Sequence, residues 1–200
     1  MPRSGDEARQ RLQQAALDLF REQGFDRITT AQIAARAGLT ERTFFRHFAD
    51  KREVLFDGQE QLRTELLDGL AAAPDGPPLL MLFHAYRASL PLLEGNRRFS
   101  EPRFHVVDAT PALQEREAAK LASINRTLAA ALVGRGVDEH HATLATGIGM
   151  VAFGQATTRW LSEPPPGDLD AQLRRAFGEL QGLTADLVVP RAARRTRRSA

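Results

Sequence analysis

Arg42, Arg46, His47 and Lys51 lie within ten residues of one another, interleaved with Phe44, Phe45 and Phe48, in the stretch LTERTFFRHFADKREVLF from Leu39 to Phe56. These side-chain types recognise anions and base edges rather than make bonds. An arginine fork donates in pairs to a phosphate or a guanine edge, and a lysine meets a phosphate as a point charge. No proline interrupts the stretch. On a helix Phe44 and Phe48, four apart, share one face and can anchor it on a support. Thr43, Arg46 and His47 then lie on other faces and can meet DNA. Arg42 stands at the helix start, near a groove floor or a phosphate, and Lys51, just past the end, is placed for a phosphate.

The surrounding sequence supplies the elements that would position them. Ser4-Gly5-Asp6-Glu7 reads as a capping box opening a first helix that ends at Gly24. Thr30 can cap a second, short helix carrying Ile33, Ala34 and Ala37 and stopped by Gly38. Thr40 can cap a third, Glu41 to Phe48, and Asp50 a fourth, long one from Lys51 to about Leu70. Two short helices joined at a glycine, flanked by longer ones, describe a helix-turn-helix, whose second helix enters the major groove.

The segment ITTAQIAARAGLTERTFFRHFADKREVLF, Ile28 to Phe56, resembles the DNA-binding segment of tetracycline-repressor (TetR) family regulators through Thr29, Ile33, Ala34, Ala37, Gly38, Thr40, Thr43, His47, Phe48, Lys51 and Leu55. The resemblance implies an interface of Thr29, Thr30, Thr40, Arg42, Thr43, Phe45, Arg46, His47 and Lys51. Thr30 and Lys51 would hold phosphates, Arg42, Thr43 and Arg46 would face the groove, and His47 would sit at the backbone edge. The family carries tyrosine where this chain has Phe45, so Phe45 takes a packing or thymine-methyl role. The implied protein is all-α: a helix-turn-helix domain over 1–50, a helical ligand-binding and dimerisation domain over 51–190, and a basic tail over 191–200.

Beyond AAAPDGPP (Ala71 to Pro78) the chain reads as further helices, with residues 95–111 irregular or a short helix. The segment RFHVVDATPALQEREAAKLASINRTLAAALVGRG resembles the mycofactocin-regulator-type subgroup, which points to a small-molecule effector, acyl-CoA or another apolar metabolite. Phe83, Tyr86, Arg87 and Phe104 are the candidate pocket residues, with Arg87 able to meet an anionic group. Ala142, Ala145, Gly149, Ala152 and Ala156 form a small-residue stripe that allows close helix approach in a homodimer, together with a leucine-rich last helix. Trp160 lies on the helix expected between pocket and dimer seam.

Composition narrows the classes. Residues 1–60 hold ten basic and ten acidic side chains, so the position of the cations matters more than their sum. There is no cysteine, hence no disulfide or thiolate metal site. The first ten residues show no apolar signal core, and Ala142 to Ala156 is too short and mixed to span a membrane. The reading is a cytoplasmic protein without cofactor. His84, His105, His140 and His141 read as surface or hydrogen-bonded histidines rather than metal ligands. No nucleophile motif or phosphate loop is present. An all-helical enzyme and a ligand-independent DNA binder are the alternatives to a DNA-binding repressor released by a ligand.

Overall fold

The structure of the protein is a computed structural model that describes residues 4–163 and 167–185. The described residues form nine α-helices and one 3-10 turn. The tail over 191–200 lies outside them.

The N-terminal unit is built by its helix ends. Helix α1 (Ser4–Gln23) stops at Gly24, whose φ of 84° is left-handed. Helix α2 (Thr30–Arg36) is capped by Thr29, not by Thr30 as the sequence reading has it. The Thr29 hydroxyl accepts from Gln32 N while Gln32 Oε1 accepts from Thr29 N, a reciprocal capping box. Gly38 turns the chain at φ 65°, and a Cβ there would stand 2.7 Å from the Arg11 guanidinium that holds the Ala37 carbonyl. Helix α3 (Glu41–His47) starts at Thr40, whose hydroxyl accepts from Thr43 N at 3.2 Å.

The fourth helix differs from expectation. Asp50 accepts from the amides of Arg52 and Glu53 as a cap should. Only a 3-10 turn, Glu53–Leu55, follows, and helix α4 (Gln59–Ala72) begins after Gly58. Val54, Leu55 and Phe56 all turn into the first core, which a continuous helix could not achieve. That core therefore runs past residue 50. It also takes Val106 and Val107 from α6 (Arg97–Asp108) and Leu113 from α7 (Pro111–Gly134). Residues 97–108 are thus a full helix, held by this burial despite Pro102.

The body is formed by α4, α5 (Pro78–Gly95), α7, α8 (Glu139–Ser162) and α9 (Leu169–Ala185) around a second core containing Leu66, Leu82, Tyr86, Leu128, Phe153, Trp160 and Leu173. Close approach is set by glycines. A Cβ on Gly69 would meet Ala88 Cβ at 2.7 Å and Ala85 Cα at 3.1 Å, so α4 lies directly against α5. The stripe Ala142, Ala145, Gly149, Ala152 and Ala156 is buried inside the subunit, against α5 among others. It is not the free face that the sequence reading assigned to the dimer.

Candidate nucleic-acid interface

Phe44 is fully buried and Phe48 nearly so, which orients α3. Its opposite side presents Arg42, Phe45 and Arg46, all exposed, with Phe45 55% accessible and edge-on to Phe44 at 5.5 Å. Among the described residues neither Arg42 nor Arg46 has an ion pair or a side-chain hydrogen bond. Several neighbouring cations are engaged: Arg36 with Glu22, Arg52 with Asp50, Arg9 with Asp57. Unpaired arginines beside an exposed aromatic ring form a surface able to take phosphate and the apolar edge of a base.

The threonines serve the backbone first. Thr29 and Thr40 cap α2 and α3, Thr43 lies 3.0 Å from Thr40 hydroxyl to hydroxyl, and Thr30 donates to Glu41. Two expected contacts point elsewhere. Lys51 Nζ donates to the carbonyls of Phe25 (2.8 Å), Asp26 (3.3 Å) and Ile28 (3.0 Å), and lies 4.2 Å from the Phe25 ring centre. Its three donors close the α1–α2 turn and leave none for a phosphate. His47 lines a cleft of about 490 Å³ between this unit and α4 and α7, and its Nε2 is buried without a partner among the described residues. Burial, then the charges of Arg46 and Arg9, lower its pKa, so the imidazole is neutral at pH 7.

A junction that no local sequence signal announces joins this unit to the body. Glu53 pairs with Arg116 and with Lys120 at 2.9 Å. Arg103 donates to the Leu55 carbonyl at 2.6 Å and to Glu117 at 2.9 Å, and its guanidinium lies 4.7 Å from the buried Phe56 ring centre. Burial raises the Glu53 pKa, but the hydrogen bonds from Arg116 and Lys120 outweigh it and hold the carboxyl below its usual range. At the other end of α6, Arg97 lies 4.4 Å from the Trp160 ring centre and donates to the Trp160 carbonyl at 2.7 Å.

The expected pocket residues do not come together around one cavity. Tyr86 stacks on Phe153 with ring centres 4.6 Å apart, and Phe83 meets Phe177 edge-on at 5.2 Å. Arg87 pairs with Asp170 at 2.8 Å at the surface, and Phe104 lies apart on α6 against His105. Among the described residues no three His, Cys, Asp or Glu side chains converge as metal ligands, and no helix is long and apolar enough to cross a membrane.

A helix-turn-helix with an exposed cationic second helix, seated on an all-helical body, defines a class of DNA-binding regulators. Residues 12–57 match the family described as bacterial regulatory proteins, tetR family, and residues 77–184 match the MftR C-terminal domain. The chain belongs to the tetR family. It is similar to the HTH-type transcriptional regulator TcmR of Streptomyces glaucescens, 40% identical over 83 residues, a match that spans 41% of this chain and 37% of that protein. FadR of Thermus thermophilus, a TetR-family transcriptional repressor solved with lauroyl-CoA, superposes with a TM-score of 0.50 at 27% identity, covering 92% of this chain and 98% of that one. The fatty acid degradation regulator FadR of Bacillus halodurans shares the fold, with a TM-score of 0.57, 16% identity and coverage of 88% and 95%.

Proposed function

We propose that the protein is a cytoplasmic transcriptional repressor that binds a palindromic operator as a homodimer and leaves it when a small apolar molecule enters the body. The observation that carries the reading is the exposed set Arg42, Phe45 and Arg46 on α3, its two arginines without a partner among the described residues, while Arg9, Arg11, Arg36, Lys51 and Arg52 around it are engaged. Arg42 and Arg46 take phosphate or guanine edges, and Phe45 lies against a thymine methyl. Thr29, Thr30, Thr40 and Thr43 frame that surface, with His47 behind it, and Lys51 holds the turn.

The dimer uses the other side of α8. Leu144, Gly147, Val151, Gly154 and Thr158 recur at three and four and point away from the core, with Leu144 55% and Val151 67% accessible. Ala171, Gly178 and Gly182, seven and four apart, are exposed on α9. A Cβ added to Gly147, Gly154, Gly178 or Gly182 would meet nothing within 4 Å, so these two faces are open to a second pair of helices.

The lauroyl-CoA held by the Thermus protein makes an acyl thioester the first effector class to try. Its effect would reach α3 through the Glu53–Asp57 segment, which α6 and α7 grip, and not through one rigid connector helix. Coupling of this kind is reciprocal: operator and effector weaken each other by the same factor. Footprinting of DNA upstream of the protein's own gene, with and without lauroyl-CoA, tests the reading. A protected palindrome with half-sites about 34 Å apart or a multiple, lost on adding the thioester, is the expected result. Protection that persists unchanged with lauroyl-CoA would remove the acyl-thioester class, and absence of protection anywhere with loss of Arg46 making no difference to DNA affinity would remove the repressor.

A further inference from the structure

We propose that the Tyr86 hydroxyl is a hydrogen-bond donor kept for the effector, and that the effector therefore carries a carbonyl oxygen inside an otherwise apolar chain or ring. The inference rests on the effector reading above and narrows it. Tyr86 is wholly inaccessible, and its hydroxyl has no hydrogen-bond partner among the described residues. Among the described residues, the side-chain oxygens of Gln59, Asn125 and Gln172 are also buried without a partner, but these are acceptors on partly exposed residues, whereas the fully buried Ser89 and Thr146 are satisfied within their own helices. Ser89 donates to the Tyr86 carbonyl at 2.8 Å, and Thr146 to the Ala142 and Thr143 carbonyls at 3.0 Å. The rings of Phe153 and Phe177 flank the Tyr86 ring, and the Leu82 side chain and the Tyr86 hydroxyl both lie against Gly149.

A phenylalanine would fill the same space without leaving a desolvated hydroxyl, so the oxygen works against the fold unless something pairs with it. Helix α8 makes room at this point. A Cβ on Gly149 would stand 3.2 Å from Tyr86 Cε2 and 3.3 Å from its oxygen, so any larger residue would press on the hydroxyl. Burial raises the phenol's pKa, which keeps the proton on the oxygen at any physiological pH. The cover over it is movable in kind. Phe177 and Phe83 are only half-buried, and Phe177 touches the Tyr86 ring at 6.2 Å between centres. An apolar chain that displaces Phe177 reaches the phenol, and a carbonyl oxygen on that chain accepts its proton.

Calorimetric binding of lauroyl-CoA and of its thioether analogue dodecyl-CoA, which lacks the carbonyl, to wild type and Tyr86→Phe tests this, together with thermal melts of both proteins without ligand. Wild type should prefer the thioester by about tenfold or more, as expected when a buried donor loses its partner. Tyr86→Phe should bind the two alike, and should melt no lower than wild type. A variant that melts several degrees lower, or that keeps the full preference, overturns the inference, because the hydroxyl then serves the fold or serves nothing. Equal binding of both compounds by wild type overturns it while leaving an apolar effector standing. Failure of lauroyl-CoA to bind wild type overturns the acyl-thioester class itself, and this inference with it.

Discussion

The N-terminal unit and the helical body bury their apolar surface by opposite means. Between the short helices of the first, large rings fill the space: Phe20, Phe25, Phe44, Phe48 and Phe56 are all buried. In the body, missing side chains bring the backbones together, at Gly69 against α5 and Gly149 against Tyr86. The first arrangement holds a rigid unit whose helix ends are fixed by caps. The second is a set of long helices whose spacing depends on a few hydrogens, where insertion of a ligand acts directly on helix positions.

The comparison is broken most severely at Phe44. Phe44→Ala leaves a cavity under α3, and chemical denaturation should report a loss of about 3–5 kcal/mol. Phe45→Ala, one residue on, should leave that transition where it is and weaken only DNA binding. Next comes Gly69→Ala, whose methyl has backbone on one side and Ala88 on the other. Helices α4 and α5 must separate, at about 1–3 kcal/mol. A melting temperature unchanged by this substitution would show that the body is not packed at backbone contact.

Lys51 sharpens the contrast within the first unit. Lys51→Met should lower stability and DNA affinity yet leave the slope of log affinity against log salt intact, since no phosphate contact is lost. Arg46→Ala should reduce that slope by about one unit if Arg46 meets a phosphate, and a slope that falls for Lys51→Met instead would return the ammonium to the DNA.

The junction gives a pH signature. The folded pKa of Glu53 lies below its unfolded value, so its contribution is present above about pH 4.5 and is lost as pH falls through the folded value. Glu53→Gln should therefore lower the melting temperature at pH 7, by a margin that shrinks as pH falls through the folded value. A deficit that persists at low pH would mean the pairing with Arg116 and Lys120 is not its source. The smallest effect belongs to the outer face of α8. Gly147→Ala should stabilise the monomer by about 0.5–1 kcal/mol through helix propensity, while sedimentation shows a weaker dimer. An unaltered dimer would place the interface elsewhere.

The N-terminal unit was legible because its signals are local. Thr40 three residues before Thr43, Gly38 at the turn and Phe44 with Phe48 each specify structure within one or two turns of chain. Even the misplaced cap on α2 was readable: Gln32 is the capping-box partner of Thr29 and not of Thr30. The break before α4 was hidden because Val54, Leu55, Leu62 and Leu66 fit one helical stripe, and only Gly58 argued otherwise. On α8 the small residues were visible but their face was not, since two stripes of small residues lie on opposite sides and only Tyr86 decides which is inside. Lys51 showed its charge, and the three carbonyls that take its protons lie 23 to 26 residues earlier. The Glu53, Arg103 and Arg116 contacts join segments 48 to 63 residues apart, beyond the reach of any spacing rule.

The cations of α3, the helix proposed to face DNA, are the arginines Arg42 and Arg46. Of the chain's 27 lysines and arginines, Lys51 and Lys120 are the two lysines. The first has its ammonium on the turn carbonyls, and the second donates to Glu53 beside Phe56. Formaldehyde joins proteins to DNA chiefly through free ε-amino groups, and this surface offers none. On the proposed interface, chromosome-wide mapping by formaldehyde capture would thus under-count the protein's occupied sites, whereas ultraviolet cross-linking, to which an aromatic ring stacked against a base is reactive, would reach them if Phe45 lies against a base as proposed.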